Sequence, residues 1–252
     1  MALRIYDGLN WIRQLIESNN FTIRQIFYQL AASRDTTIVV WEGKGGNELR
    51  RRFYPGYKRN RVRPSEDIFK TVDMFRKLLE HVPVWQVAMP GYEGDDVIAS
   101  LVNMYRNAEK DITIHSTDKD FRQLIPLGVK VDSNPIKACD DKYIRLYKTL
   151  VGDASDSIKG LPGFGDVAFS RLDAKYVQPF FERGQFNGFL PEMAFMEQKH
   201  FNKLNECVSD IATYWKITGF FDISLSDMAP HLQRGVLNTS KGEEMMRHYL
   251  IN

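Results

Sequence analysis

Only two of the 252 residues are cysteine, Cys139 and Cys207, and neither has a second Cys or a His at metal-ligand spacing. That scarcity argues against a disulfide framework and against a zinc site, and makes a reducing compartment the expected setting. No apolar run is long enough to cross a bilayer. The apolar residues Leu3 and Ile5 are interrupted by Arg4 and Asp7 before they reach the length of a secretory signal, so a cytoplasmic protein without a membrane partner is expected. The five histidines (His81, His115, His200, His231 and His248) are scattered and are read as structural or surface residues. There is no internal repeat and no low-complexity linker. Neither sign of charge dominates, since the formal net charge is +2.

The charges are nevertheless segregated. Between Lys44 and Arg63 stand eight basic residues (Lys44, Arg50, Arg51, Arg52, Lys58, Arg59, Arg61 and Arg63) with Glu48 as the one counter-charge. Acidic residues gather instead from Glu93 to Asp120 and again at Asp153 and Asp156. An anion-binding strip beside a cation-binding pocket fits this distribution.

Short β-rich runs at 3–6, 37–41, 84–87, 112–115 and 129–131 alternate with segments of helical period. Phe69, Val72, Phe75 and Leu79 predict one face of a helix over 68–79, and Val97, Ile98, Leu101, Val102 and Tyr105 repeat the spacing. The alternation predicts an α/β fold with a mostly parallel central sheet and flanking helices over roughly residues 1–135. Residues 136–175 read as helices broken by the Gly-rich turn Gly160-Leu161-Pro162-Gly163-Phe164-Gly165. The remainder, 176–252, is aromatic-rich and predicted to be helical and packed on the core, with 193–215 as its clearest long helix and Trp85, Trp215, Phe180 and Phe181 assigned to the interior.

Asp7 follows the first strand, Glu42 the second, and Asp118 and Asp120 the fourth, while Glu93, Asp95 and Asp96 open the helix after the third. Ligands of an open α/β sheet bind at the carboxyl ends of its strands, so these carboxylates converge on one edge. Asp153 and Asp156 reach it if the helical region folds back. Singly, each is as well read as a turn former or N-cap, and Glu93-Gly94-Asp95-Asp96 as the acidic start of a helix. Jointly they raise one another's pKa and call for cations. Oxygen donors without Cys or His point to two Mg²⁺ or Mn²⁺ ions, the arrangement suited to in-line phosphodiester displacement.

Five segments also carry a family pattern. Asp7-Gly8-Leu9-Asn10 resembles the opening motif of the 5′-nuclease superfamily of phage 5′-exonucleases, flap endonucleases and the 5′-nuclease domains of bacterial DNA polymerases. Arg50 with Tyr57-Lys58-Arg59-Asn60-Arg61 resembles its “R…YKxNR” segment, Glu93-Gly94-Asp95-Asp96 its “E[AG]DD”, and Thr117-Asp118-Lys119-Asp120 its “[ST]xDxD”. The run from Gly152 through Asp153 and Asp156 to Gly165 resembles “GDxSDNIPGVPGIG”. The resemblance covers about two thirds of the chain, from Asp7 to Gly165.

The resemblance implies a PIN-like core, with residues 44–66 as a basic arch-like segment and the Gly-rich turn as a helix–turn–helix hairpin that grips DNA. It implies that Asp7, Glu93 and Asp95 hold a first metal, that Asp118, Asp120 and Asp153 hold a second with Asp95 bridging, and that Asp96 and Asp156 are outer or weaker ligands. Glu42 stands where the family usually has Asp, so one extra methylene separates its charge from the backbone. Lys58 is implied at the scissile phosphate and Arg50, Arg59 and Arg61 on the phosphate backbone, with Tyr57 stacked on a terminal base. Gly160, Gly163 and Gly165 would present backbone N–H groups to phosphates. Such hairpins also bind K⁺ through carbonyls, so a monovalent ion belongs to the implied set.

Pro64 and the helix start near Ser65 leave little room for a helical arch, so a loop is expected, serving short 5′ ends rather than the threading of long flaps. The implied activity is a metal-dependent 5′→3′ exonuclease or structure-specific flap endonuclease on duplex, nicked or flapped DNA, and on RNA–DNA hybrids. A stand-alone, monomeric, phage-type enzyme acting with replication proteins is expected, in the host cytoplasm if phage-encoded. A PIN-type RNA nuclease and a non-catalytic DNA-binding protein on the same scaffold are the alternatives. The Gly-rich hairpin and the segment from Tyr57 to Arg61 weigh against the first, and the number of carboxylates kept weighs against the second.

Overall fold

Leu3 and Ile5 alternate with Arg4 and Tyr6 in β1 (Leu3–Asp7), the strand around which the sheet is organised. The structure is a computed structural model that describes residues 2–18, 23–62, 64–108 and 111–249. Arg63 of the basic strip lies outside the described residues. In chain order β1 leads into α1 (Gly8–Ser18) and α2 (Ile23–Ala32), then β2 (Thr36–Trp41), α3 (Glu48–Phe53), α4 (Glu66–Leu79), β3 (Trp85–Ala88), α5 (Gly94–Tyr105) and β4 (Ile112–His115). A 3₁₀ segment (Lys119–Leu127) precedes β5 (Lys130–Val131). There follow α6 (Ile144–Leu150), α7 (Asp166–Arg171), α8 (Ala174–Glu182), α9 (Gln198–Glu206), α10 (Val208–Thr218), α11 (Leu225–Met228), β6 (Leu232–Arg234) and α12 (Thr239–His248).

The sheet order is β5-β4-β1-β2-β3-β6, with every neighbouring pair parallel except β3 and β6. Successive strands run outward from β1 to β3, whereas β4 returns to the other side of β1. The order therefore reverses between β1 and β4, and a ligand crevice opens at that point. In register, Asp7 lies opposite Val40, and Tyr6 opposite His115, so the residues that follow β2 and β4 emerge beside Asp7.

Strand alternation divides the core into two faces. Ile38 and Val40 of β2 join Ile5, Ile114, Val97, Leu101 and Phe121 on the face covered by α5 and the 3₁₀ segment. Val39 and Trp41 join Ile12, Phe27, Phe75, Leu78 and Met246 beneath α1, α2, α4 and α12. Gly8 lets α1 start directly behind β1, because a Cβ there would sit 2.4 Å from the Trp41 ring. A third apolar cluster, built from Leu146, Leu150, Phe164, Phe181, Leu204 and Trp215, holds α6 through α10 together.

The described residues depart from the expectations in three places. Phe69 is 44% exposed, and α4 buries Phe75, Leu78 and Leu79 instead, because only its C-terminal half is pressed against the sheet. The single helix over 193–215 is two helices. Cys207 leaves helical geometry between α9 and α10 (φ −119°, ψ 25°), and residues 193–195 belong to a turn in which Phe195 has φ 53°. Finally, the chain after α10 is not wholly helical. β6 adds an antiparallel edge strand through the register Val87↔Leu232, and α12 packs on α2 and α4. Three residues are too few to show the period-2 pattern by which a strand is read. Between Phe53 and Glu66 the described residues form turns and no helix.

Phe75 is fully buried, with its ring centroid 5.1 Å from that of Trp11. Replacing it by alanine is expected to cost about 3–5 kcal/mol, read as a lower urea midpoint with an unchanged slope.

Candidate active site

The loop after β4 is tied to the start of α1 by short polar contacts. Asn10 donates from its side-chain amide to Thr117 Oγ1 (2.9 Å) and accepts from the Thr117 N–H (3.1 Å). Ser116 Oγ donates to Asp7 (3.1 Å) and accepts from the Asp118 N–H (3.1 Å), so one hydroxyl sets two carboxylates side by side. Asp118 in turn caps the 3₁₀ segment by accepting from the Asp120 N–H (2.9 Å). Ser116 stands two residues before Asp118, and so it, not Thr117, holds the hydroxyl place of the “[ST]xDxD” pattern.

Asp7, Glu42, Asp95 and Asp118 line one cavity of about 80 Å³, together with Asn10, Arg13, Lys58 and Arg61. Burial pushes the Asp7 carboxyl up to about 6, and Asp118 adds to the shift. Asp95, the second residue of α5, is raised well above its ordinary value, first by burial and then by Asp118. Glu42 is also raised, mainly by burial, although the Gly94 N–H donates to it (3.1 Å).

A second group lies beside the first. Asp120, Asp153 and Asp156 place carboxylate oxygens within 4.8 Å of one another. Asp153 opens a tight turn in which Oδ1 accepts from the Ser155 N–H (2.8 Å) and Ser155 Oγ (2.6 Å), while its backbone pairs with Ile158. Lys148 of α6 extends its ammonium between Asp120 and Asp153, 2.6 Å from Asp153 Oδ2 and ion-paired with Asp120. Asp120 is raised to about 6 by burial, against the pull of Lys148. At Asp153 burial also raises the pKa, but Lys148 and Ser155 outweigh it and the net shift is downward.

Glu93 joins the two groups. It is buried, and one oxygen accepts from the Tyr57 hydroxyl (3.0 Å) and from the Lys58 ammonium (2.9 Å), with Arg50 at 3.4 Å. Its other oxygen is buried without a hydrogen-bond partner among the described residues. Tyr57 also reaches Asp156 (3.3 Å), and the Lys58 N–H donates to the Asp156 carbonyl (3.0 Å). Lys58 is held in the left-handed region (φ 51°), a conformation that costs energy for a side-chain-bearing residue and persists only under such constraints.

Three assignments from the sequence are corrected by these contacts. Asp96 accepts from two Arg50 nitrogens (both 2.7 Å) and from the Phe221 (2.8 Å) and Glu93 (3.3 Å) N–H groups. Four donors fill its lone pairs, so it is not placed to ligate a metal. Arg50 is 3% exposed, and its remaining N–H groups go to the Ile217 and Gly219 carbonyls (both 3.0 Å), which removes it from any phosphate contact. Tyr57 is 2% exposed and cannot stack on a base.

Arg59 and Arg61 are exposed. In the Gly-rich turn, Gly163 and Gly165 are exposed, whereas Gly160 is buried. Gly160 has φ +68°, and a Cβ on it would lie 2.5 Å from the Gly152 nitrogen, so its role is close backbone approach rather than an offered N–H. The Gly163 carbonyl pairs with His200 Nε2 (3.2 Å), and the Pro162 carbonyl accepts from Lys203 (3.4 Å). Sequence reasoning missed Arg13, Ser116 and Lys148. Ser116 was open to discovery through the hydroxyl place in its motif, but an isolated Lys on a helix and an isolated Arg on another carried no local signal.

A family model described as the 5′-3′ exonuclease N-terminal resolvase-like domain matches residues 12–147. Among curated proteins, DNA polymerase I of Caldicellulosiruptor bescii is 29% identical over 208 residues, covering 70% of this chain and 24% of the polymerase. DNA polymerase I of Deinococcus radiodurans is 31% identical over 163 residues, covering 60% and 17%. A 5′-3′ exonuclease of Aquifex aeolicus is 26% identical over 167 residues, covering 61% and 57%. The chain thus spans about a quarter or less of the polymerases and over half of the exonuclease. Among solved structures, the T5 D15 protein co-crystallized with metal ions has a TM-score of 0.63 at 20% identity, covering 86% of this chain and 89% of that one. The T5 D15 flap endonuclease in a pseudo-enzyme-product complex with DNA and metal ions has a TM-score of 0.62 at 19% identity, covering 99% and 98%. With the resolvase-like model matched over more than half of its length, on the sheet whose edge gathers these carboxylates, the chain belongs to the 5′-3′ exonuclease family.

Proposed function

We propose that this protein is a divalent-metal-dependent 5′ nuclease that cleaves phosphodiester bonds near the 5′ end of duplex, nicked or flapped DNA. The observation that carries the reading is the pair of carboxylate groups, Asp7/Glu42/Asp95/Asp118 and Asp120/Asp153/Asp156, which share one loop after β4 at the sheet's switch point. Their fit to hard cations rests on the donor set, which is all carboxylate oxygen, and on the ammonium of Lys148 already standing between two of them. Asp7, Asp95 and Asp118 would hold one ion, with Glu42 beside them. Asp120 and Asp153 would hold the other, with Asp156 as the weaker ligand.

Bound there, two divalent ions supply an activated water and offset charge on the attacking and leaving oxygens. The chain's own residues do the positioning. One oxygen of Glu93 is held by Tyr57, Lys58 and Arg50, and we assign that contact to orienting Lys58, while its second, unpartnered oxygen would remain open to an ion. Lys58 lines the cavity, and its ammonium would donate to a non-bridging phosphate oxygen. Exposed Arg59 and Arg61 would hold the backbone of the 5′ strand without reading bases, so the RNA strand of a hybrid falls within the same reading. A K⁺ ion at the Gly-rich turn would compete with His200 and Lys203 for the carbonyls of Gly163 and Pro162. The turns between Phe53 and Glu66 favour short 5′ ends over long threaded flaps.

On 5′- and 3′-labelled nicked and flapped DNA, Mg²⁺ should release short 5′ products and EDTA should abolish them. Asp118→Ala should lower the rate at least about 100-fold, beyond the loss typical of an outer-shell partner. Equal cleavage in EDTA, or release from the 3′ end, would sink the reading.

The joint variant Arg59→Ala/Arg61→Ala should weaken binding across sequences and flatten the slope of log affinity against log salt by about 2. An unchanged slope would remove these residues from the phosphate contact.

The raised carboxyls add a pH dependence. A buried Asp with a folded pKa of about 6 binds protons more tightly in the native state than in the unfolded one. Without metal, the stability contributed by Asp7 and Asp120 is therefore present at low pH and declines as pH rises through about 6. Divalent ions bind the deprotonated forms, so the rise in melting temperature on adding Mg²⁺ should be small at pH 5 and large at pH 8. Equal rises at both values would contradict it.

A further inference from the structure

Lys148 is an unusual neighbour for a cation site. Its side chain is 13% exposed, and its ammonium is shared by Asp120 and Asp153, each of whose side chains is less than one-fifth exposed. Asp156 completes the same triad of oxygens. A hard ion such as Mg²⁺ binds carboxylate oxygens at about 2.0–2.1 Å, well inside the distance at which an ammonium hydrogen-bonds to them. Such an ion and the Lys148 ammonium cannot occupy the gap between Asp120 and Asp153 together, and their like charges repel at close range.

Resting on the two-ion reading above, we propose that Lys148 is a built-in counter-ion. It fills the second cation position in the metal-free protein and must withdraw before a divalent ion enters, so it sets the concentration at which that position loads. The geometry explains why three half-buried carboxylates tolerate one another without metal. Lys148 supplies the positive charge that Arg50 supplies for Asp96 and Lys58 for Glu93. Lys148 differs from Arg50 in one respect. Arg50 is locked by backbone carbonyls as well as by its carboxylate, whereas the described contacts of the Lys148 ammonium are the two carboxylates. Its flexible stem can therefore swing away once a stronger cation arrives. Lys148 acts here as a positioning residue, and its effect is read from metal binding rather than from turnover alone.

The test is Mn²⁺ binding to the full-length protein without DNA, by calorimetry and by the electron spin resonance of free Mn²⁺. An Asp153→Asn variant identifies which binding event belongs to the triad. Lys148→Met should tighten that event about tenfold or more and lower the melting temperature in EDTA. Lys148→Arg, which keeps the charge, should bind as the parent does. If Lys148→Met leaves the Asp153-dependent event unchanged or weakens it, the counter-ion proposal falls while the two-ion reading stands. If Lys148→Arg tightens binding as much as Lys148→Met, charge is not the cause and the proposal falls. If Asp153→Asn changes nothing in the parent's titration, no ion binds the triad and both readings fall. Peptide mapping of amine acylation on the parent protein covers the case in which Lys148→Met does not fold. Lys148 should be protected in EDTA and react several-fold faster once Mn²⁺ saturates, and equal reactivity would overturn the proposal.

Discussion

The constraint on which the rest of the structure depends is the concentration of negative charge at the carboxyl edge of the sheet. Asp7, Glu42, Asp95, Asp120 and Asp156 all have raised pKa values, each for burial first and several for the proximity of another carboxylate. Like charges in a low-dielectric site repel strongly. Three internal cations answer them: Arg50 on Asp96, Lys58 on Glu93, and Lys148 on Asp120 and Asp153. Each is held by a different degree of enclosure. Arg50 is saturated by carbonyls, Lys58 is fixed by a strained backbone, and Lys148 hangs from a helix with its two carboxylates.

The same contacts join the two halves of the chain. Arg50 leaves α3, grips Asp96 at the start of α5, and takes the carbonyls of Ile217 and Gly219 at the end of α10. Tyr57 packs in the helical cluster while its hydroxyl touches Glu93 and Asp156. The carboxylates contributed by the sheet and those contributed by the helical region are therefore brought together by buried polar links rather than by an apolar seam alone. Removing one partner of such a link strands the other, which costs more than a surface contact would.

Much of the fold was legible because it is carried by periodic signals. Five parallel strands and the loops that follow them were located to within a residue or so, and strand-end carboxylates in parallel strands must share an edge. The illegible parts had short or non-local causes. β6 is three residues long and forms because its backbone meets the exposed edge of β3. The break at Cys207 lies inside an otherwise helical composition, and the apolar stripe of α4 was displaced by the way the helix docks, which exposes Phe69.

At the site, the sequence by itself determined which residue types were available and on which loops they sat. Asp7, Glu42, Glu93, Asp95, Asp118 and Asp120 follow their strands, and Asp153 and Asp156 precede a Gly-rich turn. Only the tertiary structure decided what each does. Asp96 is adjacent in sequence to Asp95, yet it is spent on Arg50 while Asp95 faces the cavity. Arg50, Tyr57 and Gly160 became internal braces, whereas Arg59, Arg61, Gly163 and Gly165 stayed at the surface. Lys148, unremarked among the lysines of the chain, stands in the middle of the acidic triad. The physical reason is that burial and saturation of hydrogen-bonding capacity are settled by neighbours distant in sequence. A carboxylate is free to bind a cation only where the fold leaves its lone pairs unclaimed.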